Sequence, residues 1–224
     1  MFDSCLSEFG CRRHQGKFQR PVKDGRGNLW FTSSEFGRIA LNGGFELTVR
    51  DRLLEPLHLE LNGRESNYSI ISEYSRHGMG GNLRADIALL DEPLNDNKAP
   101  RCKTIFELKT NFRSQFREIK SRTQNDFDKW FSAKKPMAFD YCYLHLVIDI
   151  NPSVHKGYFP KYQKQNPAPI AEVNEFFVDF AEHNGCSLLE NVSNPYSAEC
   201  KYPCYDSPIK INTYFFILER NSAQ

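Results

Sequence analysis

The sequence predicts an α/β domain with a mixed central β-sheet flanked by helices, and three observations carry that expectation. Between about residues 42 and 150 the hydrophobic pattern runs helix, three strands, helix, strand. A second helical stretch and a very apolar strand follow it. Two of the central strand-like runs also hold charges among apolar neighbours: Leu83-Arg84-Ala85-Asp86-Ile87-Ala88-Leu89-Leu90 and Thr104-Ile105-Phe106-Glu107-Leu108-Lys109.

Taken in order, residues 1–41 read as an N-terminal arm or hairpin around Leu29-Trp30-Phe31, between two glycine-rich flanks. Residues 42–150 form the core, and residues 151–224 extend it within one domain, 1–224. From Phe45 to Leu57, the residues Phe45, Val49, Leu53, Leu54 and Leu57 share a helical face; Asn42 is placed to cap this helix and Pro56 to kink it or end it early. Tyr68–Tyr74 reads as a strand, and Arg76–Asn82 as a glycine-rich turn into the Asp86 strand. Arg113 to Lys134 is an amphipathic helix whose apolar residues are Phe116, Ile119, Phe127, Trp130 and Phe131. The strand Tyr141–Ile150 follows, then a proline- and lysine-bearing loop to Pro169. Ile170–His183 is helical through Val173, Phe176, Phe177 and Phe180, and Tyr214–Leu218 is a buried terminal strand.

At 224 residues the chain is long enough to bury a core without disulfides or metals as staples. No twenty-residue apolar run and no signal peptide is seen, so a cytoplasmic protein without membrane insertion is expected. The net charge of +1 excludes a polycation coat and leaves room for a local basic surface. No phosphate-binding loop, dinucleotide fingerprint, nucleophile elbow or His-Glu-x-x-His occurs, which removes the common nucleotide-binding, serine-hydrolase and zinc-protease readings.

The charges inside the strands point to chemistry. Side chains alternate along a strand, so Glu107 and Lys109 leave one face while Phe106 and Leu108 leave the other. Two carboxylates can hold a hard divalent cation, which polarises a phosphate and lowers the pKa of bound water. A lysine beside them can orient or deprotonate that water, or stabilise the phosphorane. The three groups together suit phosphodiester hydrolysis.

An Asp in one strand followed by Glu-x-Lys in the next resembles the PD-(D/E)XK nuclease superfamily, here as Ala85-Asp86 and Glu107-Leu108-Lys109, with Ala85 where the Pro would stand. The resemblance covers about Asn42 to Ile150 and implies a restriction-endonuclease-like core of helix, three strands, helix and strand. It also implies Mg²⁺, with Mn²⁺ able to substitute, held by Asp86 and Glu107, and Lys109 assisting the attacking water. Glu46 on the first helix would support the metal shell; Glu55, Glu60, Glu65 and Glu73 compete for that role. The products would be a 5′-phosphate and a 3′-hydroxyl. The expected function is a Mg²⁺-dependent DNA endonuclease, with restriction or another defence role by analogy alone. The alternative is a noncatalytic nuclease-like module that binds nucleic acid or a protein partner. A chain with one such site is expected to nick DNA or to cut both strands as a homodimer.

DNA is the expected partner. Arg113, Arg117 and Lys120 fall at intervals of four and three, on one side of a helix, where they could meet phosphates. Glu118, Asp126 and Asp128 would equally balance them as a solvated face. Arg84 alternates with Asp86 and would contact a phosphate or pair with that carboxylate. Gln124 is a weaker site candidate, and Tyr158–Lys164 mixes aromatics with lysines as nucleic-acid surfaces do.

The seven cysteines are expected to be free thiols, with Cys102 and Cys142 buried in strands. Cys200 and Cys204 with Cys186 or His183, and Cys5, Cys11 and His14, form partial ligand sets without paired Cys-x-x-Cys spacing, so no structural zinc is expected. His77 and His145 read as a loop and a satisfied core histidine.

Overall fold

In the first helix, α1 (Phe45–Asn62), the apolar residues Val49, Leu53, Leu57 and Leu61 recur every fourth position, and all four are buried. That stripe explains a departure from expectation: the helix runs past Pro56 to Asn62. Proline removes one ladder bond and crowds the preceding turn, but Leu57 and Leu61 lie beyond it and gain burial only if the helix continues. The computed structural model describes residues 20–23, 29–32, 45–62, 68–75, 83–91, 101–131, 139–150, 167–201 and 209–221. The expected cap Asn42, the turn Arg76–Asn82, the loop Tyr158–Lys164, His77 and the cysteines Cys5, Cys11 and Cys204 lie outside the described residues.

The strands are β1 (Arg20–Lys23), β2 (Leu29–Thr32), β3 (Tyr68–Tyr74), β4 (Ala85–Asp91), β5 (Arg101–Phe112), β6 (Asp140–Ile150), β7 (Ser187–Glu190), β8 (Tyr196–Lys201) and β9 (Ile209–Arg220). They join in one open, mixed sheet of order β1-β2-β8-β9-β6-β5-β4-β3, with β7 also paired to β9. Strands β3, β4 and β5 form an antiparallel meander, and β6 returns parallel to β5. The parallel return needs a crossover, which α2 (Phe116–Phe131) supplies. Among the described residues the order α1, β3, β4, β5, α2, β6 is therefore helix, three strands, helix, strand.

Both faces of the sheet are covered. On one, Val49, Leu53 and Leu57 of α1 cluster with Ile87, Leu108, Leu144, Phe215 and Ile217. On the other, Ile119, Phe127 and Trp130 of α2, with Val173, Phe177 and Phe180 of α3 (Ile170–Asn184), cluster with Ile105, Tyr141, Tyr143, Phe216 and Leu218. Helix α3 stops at Gly185, whose φ of 63° is left-handed; its N–H and that of Cys186 donate to the carbonyls of Glu182 and Ala181.

Several expectations change. The helix after β5 begins at Phe116, because residues Arg113–Gln115 form a separate 3₁₀ turn in which the Gln115 side chain accepts the Phe112 N–H at 2.9 Å. Strands β7 and β8 were not anticipated. The strand expected at Tyr214–Leu218 is longer, and it lies inside the sheet between β6 and the β7/β8 edge. The hairpin β1–β2 is tied to the sheet through Phe31 and Thr32, opposite Lys201 and Cys200 of β8. No helix of the described residues is long and apolar enough to cross a membrane.

Candidate active site

The antiparallel register ends at Ile87 opposite Phe106, one residue short of Asp86 and Glu107, and strand alternation from that pair turns both acids toward the face covered by α2. Asp86 is the second residue of β4. Its Oδ2 accepts the Leu108 backbone N–H at 2.7 Å, taking the place of a ladder carbonyl where the strand is only starting. Directly across β4, Glu73 has a φ of 56°, the one positive φ among described residues other than glycine. A glutamate in that region carries local strain. Its carboxylate is held by Arg50 of α1 and by Arg84.

Lys109 sits at the centre of an acidic ring. Its Nζ lies 3.6 Å from Glu46 Oε2, 3.6 Å from Asp126 Oδ2 and 3.9 Å from Asp86 Oδ2, and it donates to the Leu108 carbonyl at 3.1 Å. Glu46 comes from the first turn of α1 and Asp126 from α2, so helices on opposite faces of the sheet meet at this lysine. Burial pulls the Lys109 pKa down, but Asp126, Glu46, Asp86 and Glu107 outweigh it and the net shift is upward. Lys109 is an ammonium at neutral pH.

Glu107 is 2 % exposed. Its Oε1 accepts Lys129 Nζ at 2.7 Å and Trp130 Nε1 at 2.8 Å. Burial raises its pKa from 4.5 to about 7; Lys129 opposes the rise and Asp86 adds to it. Lys129 also donates to the Arg84 carbonyl and lies over the Trp130 ring. Asp126 is likewise raised by burial, against the pull of Lys109 and Lys129. Its Oδ2 is buried without a hydrogen bond and forms an ion pair with Lys109 at 3.6 Å.

The fit to a divalent cation follows from this donor set. Among the described residues no group of three or more His, Cys, Asp or Glu is arranged as a metal cage. Mg²⁺ does not require one, since it keeps several waters and uses one or two carboxylates beside substrate phosphates. Asp86 and Glu107 supply two carboxylates, and the buried Asp126 carboxyl, paired with Lys109, lies close to them. In type and number these two carboxylates are the donors a hydrated Mg²⁺ or Mn²⁺ uses, and Lys129 and Trp130 occupy one oxygen of Glu107.

The remaining expected residues fall elsewhere. Arg84 bridges Glu73, not Asp86, and its side chain is largely exposed. Arg113 lies in the 3₁₀ turn, where it bonds Asp149 at 2.9 Å and the Ala168 carbonyl at 3.0 Å, apart from the helical face of Arg117 and Lys120. Arg117 is exposed, and exposed Lys120 lies over the Phe116 ring. Gln124 donates to Asp128 on the outer side of α2. His145 is wholly buried, with Nε2 at 3.1 Å from Asn111 and Nδ1 at 3.1 Å from the Tyr143 hydroxyl; burial lowers its pKa to about 3.

The residues that sequence reasoning missed are Arg122, Asp126, Lys129 and Trp130, all on α2. Arg122 holds Glu46 at 3.4 Å. Their spacing of four, three and one marks a single helical face, the signal that could have found them. Cys102, Cys142 and Cys186 form no disulfide; the first two are buried, Cys102 Sγ donating to the Thr104 carbonyl at 3.8 Å, and half-buried Cys186 donates to the Asn184 carbonyl at 3.8 Å. Comparisons with protein-family models, with curated proteins and with solved structures found no match.

Proposed function

We propose that this chain is a divalent-metal-dependent nuclease that hydrolyses DNA phosphodiester bonds, with a restriction-endonuclease-like core and membership of the PD-(D/E)XK superfamily. The observation that carries the reading is Lys109 held among Glu46, Asp86 and Asp126, with Glu107 next to them on the same sheet face. A solvated surface gives no reason to gather four carboxylates round one half-buried lysine. Nor does an apolar core.

Asp86 and Glu107 would hold the metal, which when bound supplies Lewis acidity toward the phosphate and an acidified water. Lys109 is kept protonated by its acidic neighbours, which supports a role in orienting the attacking water and neutralising charge on the phosphorane, and argues against its acting as the base. Glu46 fixes Lys109 from α1 and is itself fixed by Arg122. Asp86, through the Leu108 N–H, ties the start of β4 to β5 just beyond the Ile87–Phe106 pair. Arg117 and Lys120 remain exposed cations beside the site's helix, suited to flanking phosphates. A role in defence against foreign DNA rests on the resemblance alone.

The test incubates purified protein with supercoiled, linear, single-stranded and branched DNA, in Mg²⁺, Mn²⁺ or EDTA. Cleavage dependent on the metal and lost in Asp86→Asn and Glu107→Gln supports the reading. Full activity in Glu107→Gln overturns it. One observation favours a noncatalytic binding module: Glu107 is already satisfied by Lys129 and Trp130. Metal-independent DNA or protein binding without cleavage of any substrate would decide for that module.

A further inference from the structure

On α2, three successive turns each address one residue of the site. Arg122 reaches Glu46, Asp126 lies beside Lys109, and Lys129 with Trp130 takes Glu107. The Lys129 contact differs from the others, because it falls on a carboxylate that metal binding would need. At 2.7 Å it is a charge-assisted bond, and the same ammonium bonds the Arg84 carbonyl just before β4. The lysine thus links the two strands that carry Asp86 and Glu107, as a bound cation would.

We propose that Lys129 is a resident cation of the site, which a divalent ion must displace from Glu107. The proposal rests on the metal-dependent reading above and adds a control to it. An ammonium and a dication on one carboxylate repel each other, so arrival of the metal costs the Lys129–Glu107 bond. Lys129 is a positioning residue in the metal-free state. Its side chain is about one-quarter exposed, so it has a path outward that needs no unfolding of α2. The released ammonium stays beside the site, where it can face a substrate phosphate. Trp130 shares the same carboxylate oxygen and therefore senses the exchange.

The experiment titrates the full chain carrying Trp30→Phe with Ca²⁺ alone, at pH 9 and without DNA, following Trp130 fluorescence. A Ca²⁺-dependent change lost in Glu107→Gln is expected. Lys129→Met and Lys129→Gln should move the midpoint to roughly tenfold to a hundredfold lower Ca²⁺, the scale of one charge-assisted hydrogen bond. Lys129→Arg, which keeps the charge, should stay close to the parent midpoint. Thermal melting identifies which of the two neutral variants is folded, and either one suffices. An unchanged or higher midpoint in the folded neutral variant overturns the resident-cation proposal while leaving metal binding at Glu107 standing. A parent titration unaffected by Glu107→Gln removes Glu107 from the metal shell and overturns both.

Discussion

Burial of Glu107 makes a specific demand on the dependence of stability on pH. The carboxyl is 2 % exposed and its pKa rises from 4.5 in the unfolded chain to about 7 in the fold. Between those values the folded protein holds a proton that the unfolded chain has released, so stability falls as pH rises. The contribution is fully present below pH 4.5 and gone above about 7. Its size is roughly 3 kcal/mol, a large part of an ordinary folding free energy. Glu107→Gln keeps an acceptor for Trp130 Nε1 and cannot ionise. Urea unfolding of both proteins in EDTA at pH 5, 6, 7 and 8 isolates the effect, because the other carboxylates titrate in both. The wild type should lose about 1 M or more of urea midpoint relative to the variant between pH 5 and 8. Parallel curves for the two proteins would refute the reasoning, and with it the placement of Glu107 in a desolvated site.

Asp86→Asn, which keeps an acceptor for the Leu108 N–H, and Lys109→Met should each abolish cleavage of plasmid DNA with a cooperative melt retained; activity within a few-fold of wild type in either would remove that residue from the chemistry. Lys109→Met leaves three acids facing each other, so its melting temperature should rise on acidification more than the wild type's. Removing Arg117 and Lys120 together should reduce the slope of log affinity against log salt by about two in Ca²⁺ binding assays, whereas Arg113→Ala should leave the slope alone and cost roughly 1–3 kcal/mol in urea unfolding, through the lost bonds to Asp149 and Ala168. The His145 ring, held near pKa 3 by burial, should show no NMR titration between pH 5 and 8, and a midpoint near 6.5 would mean that the Tyr143–His145–Asn111 chain is open to water.

The strand acids were legible because a charge within an apolar run has no packing reason to be there; Asp86, Glu107 and Lys109 announce themselves by contrast with Ile87, Phe106 and Leu108. The face of α2 did not announce itself. Asp126 and Asp128 are two positions apart and look alike in sequence, yet one is turned toward Lys109 and the other bonds Gln124 on the outer side. Only the docking of α2 onto β5 separates them. Arg113 misled for a local reason: its interval from Arg117 assumes an unbroken helix, and the 3₁₀ turn capped by Gln115 turns it toward Asp149 instead. Strands β7 and β8 are short, and the Asn191–Pro195 turn between them gives no sign that both lie along β9. Their pairing is a property of a downstream partner, Ser187 meeting Glu219 and Tyr196 meeting Thr213. Helix α1 shows the opposite balance, since a rule about proline was outweighed by two buried leucines beyond it.

The position of β9 has a consequence for how the molecule is made. Strand β6 pairs along Tyr141–Ile150 with residues Ile211–Arg220, and β7 and β8 both hang from the other edge of the same strand. The α2-covered half of the sheet can form early from local meander and crossover contacts, but the other half waits for the last strand synthesised among these. At roughly 5–20 residues per second a ribosome needs several seconds to proceed from Ile150 to Ile209. During that interval β6 presents an open hydrogen-bonding edge rich in Tyr, Leu, Val and Ile, which is the kind of template that pairs with other chains. Nascent-chain aggregation and chaperone dependence should therefore track the delivery of β9, and substitutions that weaken its pairing with β6 should lower yield more than they lower the stability of the protein that does fold.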